Sequence, residues 1–222
     1  MYVIFDMDGV IADSEIVYSD GYMHAAQIYG LPKKDMREAV ARATGVTDEL
    51  ERKIMEETFG HLPQFSMEKT YRACRDYFGH IVETGQMKLK PGAREILQYL
   101  RDKGVPAGLA SSSPRPMIEK VLGPHDILQY FDAVVSGDMV EHSKPDPEIF
   151  LKCAARLGVP ESKYREVFVI EDSHNGIRAA YAAGMQPIMV PDRLAPNEEM
   201  RQKTAAILPS LHELIAWLHD RG

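Results

Sequence analysis

Five short runs of the chain are apolar almost throughout: 2–5 (YVIF), 105–110 (VPAGLA), 133–136 (AVVS), 167–170 (VFVI) and 186–190 (QPIMV). A strand with one wet face alternates apolar and polar residues, whereas these runs do not. They are therefore expected to be strands of a parallel sheet covered on both faces. Segments of helical periodicity with clear stops separate them. PGAREILQYLRDKG opens on a proline and closes at Gly104, PEIFLKCAARLG closes at Gly158, and HNGIRAAYAAG closes at Gly184. Proline just inside the start and glycine just past the end are the expected punctuation of a helix. Alternation of this kind predicts an α/β fold with a doubly wound, Rossmann-like parallel sheet.

Residues 14–86 read differently. They contain no convincing strand, and helices are expected near 14–29, 34–43, 48–59 and 66–84, with breaks at GLP (30–32), ATGV (43–46) and GHLP (60–63). The segment is too long for a simple crossover between two strands. It is expected to be an inserted helical domain, leaving 1–13 and 87–222 as the core.

Composition narrows the field of functions. Hydrophobic residues at 45% and charged residues at 27% are ordinary for a globular chain with a sizeable core, so low-complexity and disordered classes fall away. The net charge of −7 offers no field to gather nucleic acid or anionic lipid, so neither is an expected partner. Cys74 and Cys153 are far apart and form no CxxC pair, so they read as buried free thiols of a reducing compartment. The N-terminus has no basic n-region, and no apolar run approaches membrane-spanning length. A cytoplasmic monomer is the expectation.

Chemistry is expected at the carboxyl ends of the strands, where ligands bind in sheets of this kind. The first strand runs into DMDG, where Asp6 and Asp8 stand two residues apart. Like charges that close raise each other's proton affinity unless a cation compensates, and hard oxygen ligands at this spacing suit Mg²⁺; an acidic turn is the plainer alternative. In LASSSP (109–114), the Ser111 hydroxyl and the N–H groups after it can hold a phosphate oxygen, although serines before proline are also ordinary turn chemistry. In HSKPDPEIF (142–150), Lys144 offers a point charge for phosphate or for balancing carboxylates, where a solvated surface lysine is the alternative. In VIEDSHNG (169–176), Glu171 and Asp172 end the most apolar strand, a costly place for charge without a cation. Asp172 or Ser173 is also placed to cap the following helix. Together the four stretches describe a site for a metal and a phosphate.

FDMDGVIADSE, SKPDPEIF and VIEDSHNGIRAAYAAGM make the chain resemble the haloacid dehalogenase superfamily over essentially its whole length, with nearest likeness to the β-phosphoglucomutase-like branch and its sugar-phosphate phosphatases. The resemblance implies that 14–86 is a cap. It implies that Asp6 is the nucleophile, forming an aspartyl-phosphate, and that Asp8 is the general acid and then the base. Ser111 and the Ser112 N–H would hold the phosphoryl group, and Lys144 would neutralise it. Mg²⁺ would be bound by Asp6, the Asp8 carbonyl, Asp172 and Glu171, the last directly or through water. The implied activity is hydrolysis of a small sugar or polyol phosphate, with a phosphosugar mutase as the alternative. Against the mutase, Tyr18 stands where mutases of the branch carry histidine, and Asp48 in TGVTD (44–48) stands where they carry a basic residue. Arg72 and Arg75, on another helix of the same segment, are the residues that could compensate for it, with a solvated face as their usual role. A phospho-receiver shares the sheet and an Asp/Ser-or-Thr/Lys set, but has no helical insert and is much shorter.

Overall fold

The computed structural model describes residues 1–44 and 48–221, with the backbone alone at 48. The expected turn at TGVTD therefore falls, from Gly45 to the Asp48 side chain, outside the described residues. The chain divides into two compact units, Met1–Asp13 with Lys88–Gly222, and Ser14–Met87.

The first unit is built on β1 (Tyr2–Phe5), β2 (Ala107–Ala110), β3 (Ala133–Val135), β4 (Val167–Glu171), β5 (Gln186–Met189) and β6 (Ala206–Ile207). The order is β3-β2-β1-β4-β5-β6, and every neighbouring pair is parallel. The chain thus starts in the middle of the sheet and reverses direction between β1 and β4, the topological switch point of a doubly wound fold. Ile4, Val167 and Val169 pack among Ile149, Phe150, Cys153, Ala154, Ala179 and Ala180. Those partners lie on the helices Glu148–Arg156 and His174–Ala182. The intervening strand residues face the other way, where the Phe168 ring meets Trp217 edge-on at 5.2 Å. Trp217 belongs to the helix Leu211–His219, which packs with the helix Ala93–Asp102. Both faces are covered, which is why the strands carry no polar alternation.

The strand expected at 105–110 begins only at Ala107, because Pro106 has no N–H to give the ladder. Strand β6 and the helices Arg115–Leu122, Glu198–Lys203 and Leu211–His219 are additions to the sequence reading.

The second unit contains the helices Ser14–Tyr29, Lys33–Ala43, Asp48–Phe59 and Met67–Glu83. Its own core gathers Tyr22, Ala26, Met36, Ile54, Met55, Phe59 and Met67. Ser66 caps the last of these helices, its hydroxyl accepting the Lys69 N–H. Cys74 and Cys153 are both buried free thiols, and burial pushes each pKa up to about 12, which makes them poor nucleophiles. No helix among the described residues is long and apolar enough to cross a membrane.

Candidate active site

Register places the acidic strand ends side by side. Phe5 pairs with Leu109 on one side and Ile170 on the other, so Asp6, Ala110 and Glu171 come level one step later. The Asp6 N–H donates to the Ile170 carbonyl at 3.0 Å, which holds the ladder closed up to the carboxylate. Asp6, Ser111 and Glu171 are among the buried polar residues of the chain, and burying such groups is costly unless they are partnered.

Lys144 supplies the partner. Its ammonium donates to Asp6 Oδ1 at 2.6 Å, to Glu171 Oε1 at 2.7 Å and to the Ala110 carbonyl at 3.4 Å. The same nitrogen lies 4.9 Å from the centre of the Phe150 ring. Burial pushes the Asp6 carboxyl up to about 7, against the Lys144 charge and with help from Glu171 and Asp8. Burial also works against the Lys144 ammonium, but Asp6 and Glu171 outweigh it and hold its pKa above the ordinary lysine value. Lys144 is not the solvated lysine of the plainer reading.

The loop that presents Lys144 is itself tied down. The Glu148 carboxylate accepts backbone N–H groups of Glu141 (3.0 Å) and His142 (2.9 Å), while Asp146 Oδ1 accepts the Glu148 N–H at 2.9 Å. The Lys152 ammonium and then these N–H donors pull the Glu148 carboxyl down to about 2. His142, Asp146 and Glu148 are close enough to suggest a second ligand set, but these internal bonds already account for the cluster.

Glu171 is doubly engaged. Oε1 takes Lys144, while Oε2 accepts both the N–H and the hydroxyl of Ser173, each at 2.9 Å. Ser173 is also the N-cap of the helix His174–Ala182, accepting the Gly176 N–H at 3.0 Å. Between the two capping alternatives, Ser173 and not Asp172 does this work.

Two glycines let backbone approach the carboxylates. A Cβ on Gly176 would lie 1.8 Å from Glu171 Oε1, and one on Gly9 would lie 2.3 Å from Asp172 Oδ2. Gly9 also has φ +75, a conformation natural to glycine. Both close approaches escaped the sequence reading; the only signal was a glycine just after each acidic motif.

Asp6, Glu171 and Asp172 each offer an oxygen, and these atoms lie within 4.8 Å of one another. Together with Asp8 they set several carboxylates against the Lys144 ammonium, so the donor set fits a hard divalent cation. Ser111 follows β2 directly and is fully buried, with Ser112 exposed beside it. A cleft of about 180 Å³ borders Ser112 and Lys144. Across the strand ends, the Ser113 hydroxyl donates to Asp8 Oδ2 at 3.0 Å.

A doubly wound sheet whose switch point carries paired aspartates, a buried lysine and an acidic pair is the framework of a phosphoryl-handling hydrolase. The chain belongs to the haloacid dehalogenase-like hydrolases, whose family model matches residues 3–190, and within that family it is a phosphatase. It is 35% identical over 189 residues to a phosphorylated carbohydrates phosphatase of Thermotoga maritima, covering 84% of this chain and 82% of that protein. It is 33% identical over 219 residues to hexitol phosphatase B of Escherichia coli, covering 96% and 93%. The solved structure of a family hydrolase from Deinococcus radiodurans, with bound phosphate and sodium, superimposes with a TM-score of 0.81 at 25% identity, covering 99% of this chain and 95% of that one.

Proposed function

We propose that the protein hydrolyses a small sugar or polyol phosphate through an aspartyl-phosphate on Asp6. The observation that carries this is the buried Lys144 ammonium bridging Asp6 and Glu171 at adjacent strand ends. A carboxylate approaching a phosphate dianion is repelled, and a fixed cation beside it removes much of that barrier. An oxygen of Asp6 attacks phosphorus and the P–O bond to the leaving alcohol breaks. Asp8 gives that alkoxide a proton, then takes one from the water that attacks the phosphoryl group, which releases phosphate and restores Asp6. Ser111 and the Ser112 N–H hold the transferring oxygens, and Lys144 balances the charge on both partners. Asp6, Asp172 and the Asp8 carbonyl would hold Mg²⁺ directly. Glu171, with both oxygens engaged by Lys144 and Ser173, would act on it through water. Bound there, the ion would neutralise carboxylate and phosphate charge.

The helical unit Ser14–Met87 is proposed as a specificity cap. Hydrolysis is favoured over mutase chemistry by Tyr18, which occupies the sequence position where mutases of the branch carry histidine; its ring stacks on Phe78 at 4.5 Å. Arg72 is paired with Glu68 at 3.0 Å on an exposed helix face, the solvated role that is usual for such an arginine. The test is phosphate release from a panel of sugar and polyol phosphates with Mg²⁺ present. Incubation with β-glucose 1-phosphate and a trace of the 1,6-bisphosphate separates the two readings. Glucose 6-phosphate forming faster than free phosphate would overturn hydrolysis.

Two variants test the ligand assignment. Asp172→Ala should raise the Mg²⁺ concentration for half-maximal activity by at least about tenfold. An unchanged titration would put the ion elsewhere. Gly176→Ala places a methyl on the Glu171 carboxylate and should lower kcat/KM by about 10- to 100-fold, the usual range for residues that orient metal ligands. Wild-type kcat/KM in that variant would show that the pose of Glu171 is immaterial.

A further inference from the structure

Ser113 is held at three points. Its N–H donates to Ser111 Oγ at 3.1 Å, its carbonyl accepts the Gly137 N–H at 3.0 Å, and its hydroxyl donates to Asp8 Oδ2 at 3.0 Å. The first two bonds fix the backbone and leave the side chain to aim at Asp8. A residue 105 positions away in sequence thereby decides where that carboxylate points. The Ser113 N–H also occupies a lone pair of the Ser111 hydroxyl, which leaves the Ser111 hydrogen to be given to a ligand oxygen.

We infer that Ser113 is a positioning residue for proton transfer: it fixes Asp8 by one oxygen so that the other faces the leaving group, and it couples that pose to the Ser111 seat. The inference rests on the reading of Asp8 as general acid. An acid held by one oxygen keeps a single orientation, and proton transfer falls steeply when donor and acceptor drift out of hydrogen-bond reach. No atom of Ser113 enters the reaction. Bond making and breaking remain those described above, with the proton passing from Asp8 to the departing oxygen.

The effect has a signature that lost folding or lost phosphate binding lacks. A leaving group that departs as a stable anion needs little protonation, so misplacing Asp8 harms it least. The experiment measures kcat/KM, which reports the first phosphoryl transfer, for p-nitrophenyl phosphate and phenyl phosphate with wild type, Ser113→Ala, Ser113→Thr and Asp8→Asn. Ser113→Ala should lose about tenfold on phenyl phosphate and less than about twofold on p-nitrophenyl phosphate, and Ser113→Thr, which keeps the hydroxyl, should recover most of the loss. Equal losses on both esters in Ser113→Ala, alongside a strong leaving-group dependence in Asp8→Asn, would overturn the positioning role and leave Asp8 as the acid. A uniform loss in Asp8→Asn would overturn the acid reading itself, and this inference with it.

Discussion

Asp6→Asn is expected to abolish phosphate release, by at least about a thousandfold, while leaving the protein folded. Loss of a covalent nucleophile costs most of an enzyme's rate enhancement, because the rest of the site is arranged around the bond it forms. Stability should hardly suffer. The amide keeps the volume and can still accept a hydrogen bond from Lys144, and the substitution removes a carboxyl that burial already penalises. Glu171 remains as the charged partner of the ammonium at 2.7 Å. The variant should therefore unfold at a denaturant midpoint close to wild type while showing no burst and no turnover. Near-normal turnover would remove the covalent mechanism from consideration. Loss of both activity and fold would instead make Asp6 structural.

Several features of this site were written plainly in the chain. The apolar runs YVIF and VFVI announce strands covered on both faces, and a strand order that starts in the middle puts their polar successors at one edge. DMDG and IEDS then fall at the ends of the neighbouring strands β1 and β4, and SKPDP in the loop beyond β3, on the same side because a parallel register brings every carboxyl end there. What sequence could not supply is the division of labour among neighbours. Ser173 and Asp172 are equal as capping residues in the sequence, whereas in the fold the Oγ of Ser173 stands between the Gly176 N–H and Glu171. In the sequence Ser113 is simply part of a serine run before proline, and its bond to Asp8 depends on how two loops 105 positions apart are brought together. The sheet's edge was hidden for a different reason. Strand β6 is two half-buried residues long, too short to leave a period of its own.

Lys144→Ala is expected to cost stability as well as activity, and the cost should depend on pH. Removing one partner of a buried ion pair leaves the other charge without compensation, typically about 3–5 kcal/mol. Here Asp6 and Glu171 would both be left, one of them 7% exposed and the other 1%. Protons can replace the lysine. In the wild type the Asp6 carboxyl already sits at about 7, against an ordinary value of 3.8, so between those limits the folded protein holds a proton that the unfolded chain has released. Stability from this group therefore falls as pH rises through that window. Without the ammonium the carboxyl shifts further upward, so the variant should lose little at pH 5, where a proton stands in, and most at pH 8. Added Mg²⁺ should restore part of the loss at pH 8, since a divalent cation supplies the missing charge, and much less at pH 5, where it must displace protons. Denaturant unfolding of wild type and variant at both pH values, with and without Mg²⁺, checks each statement. An equal loss at pH 5 and pH 8 would mean that the lysine is not there to balance these carboxylates. The activity loss should persist even at saturating Mg²⁺, because the ammonium at 2.6 Å from Asp6 is fixed beside the proposed nucleophile.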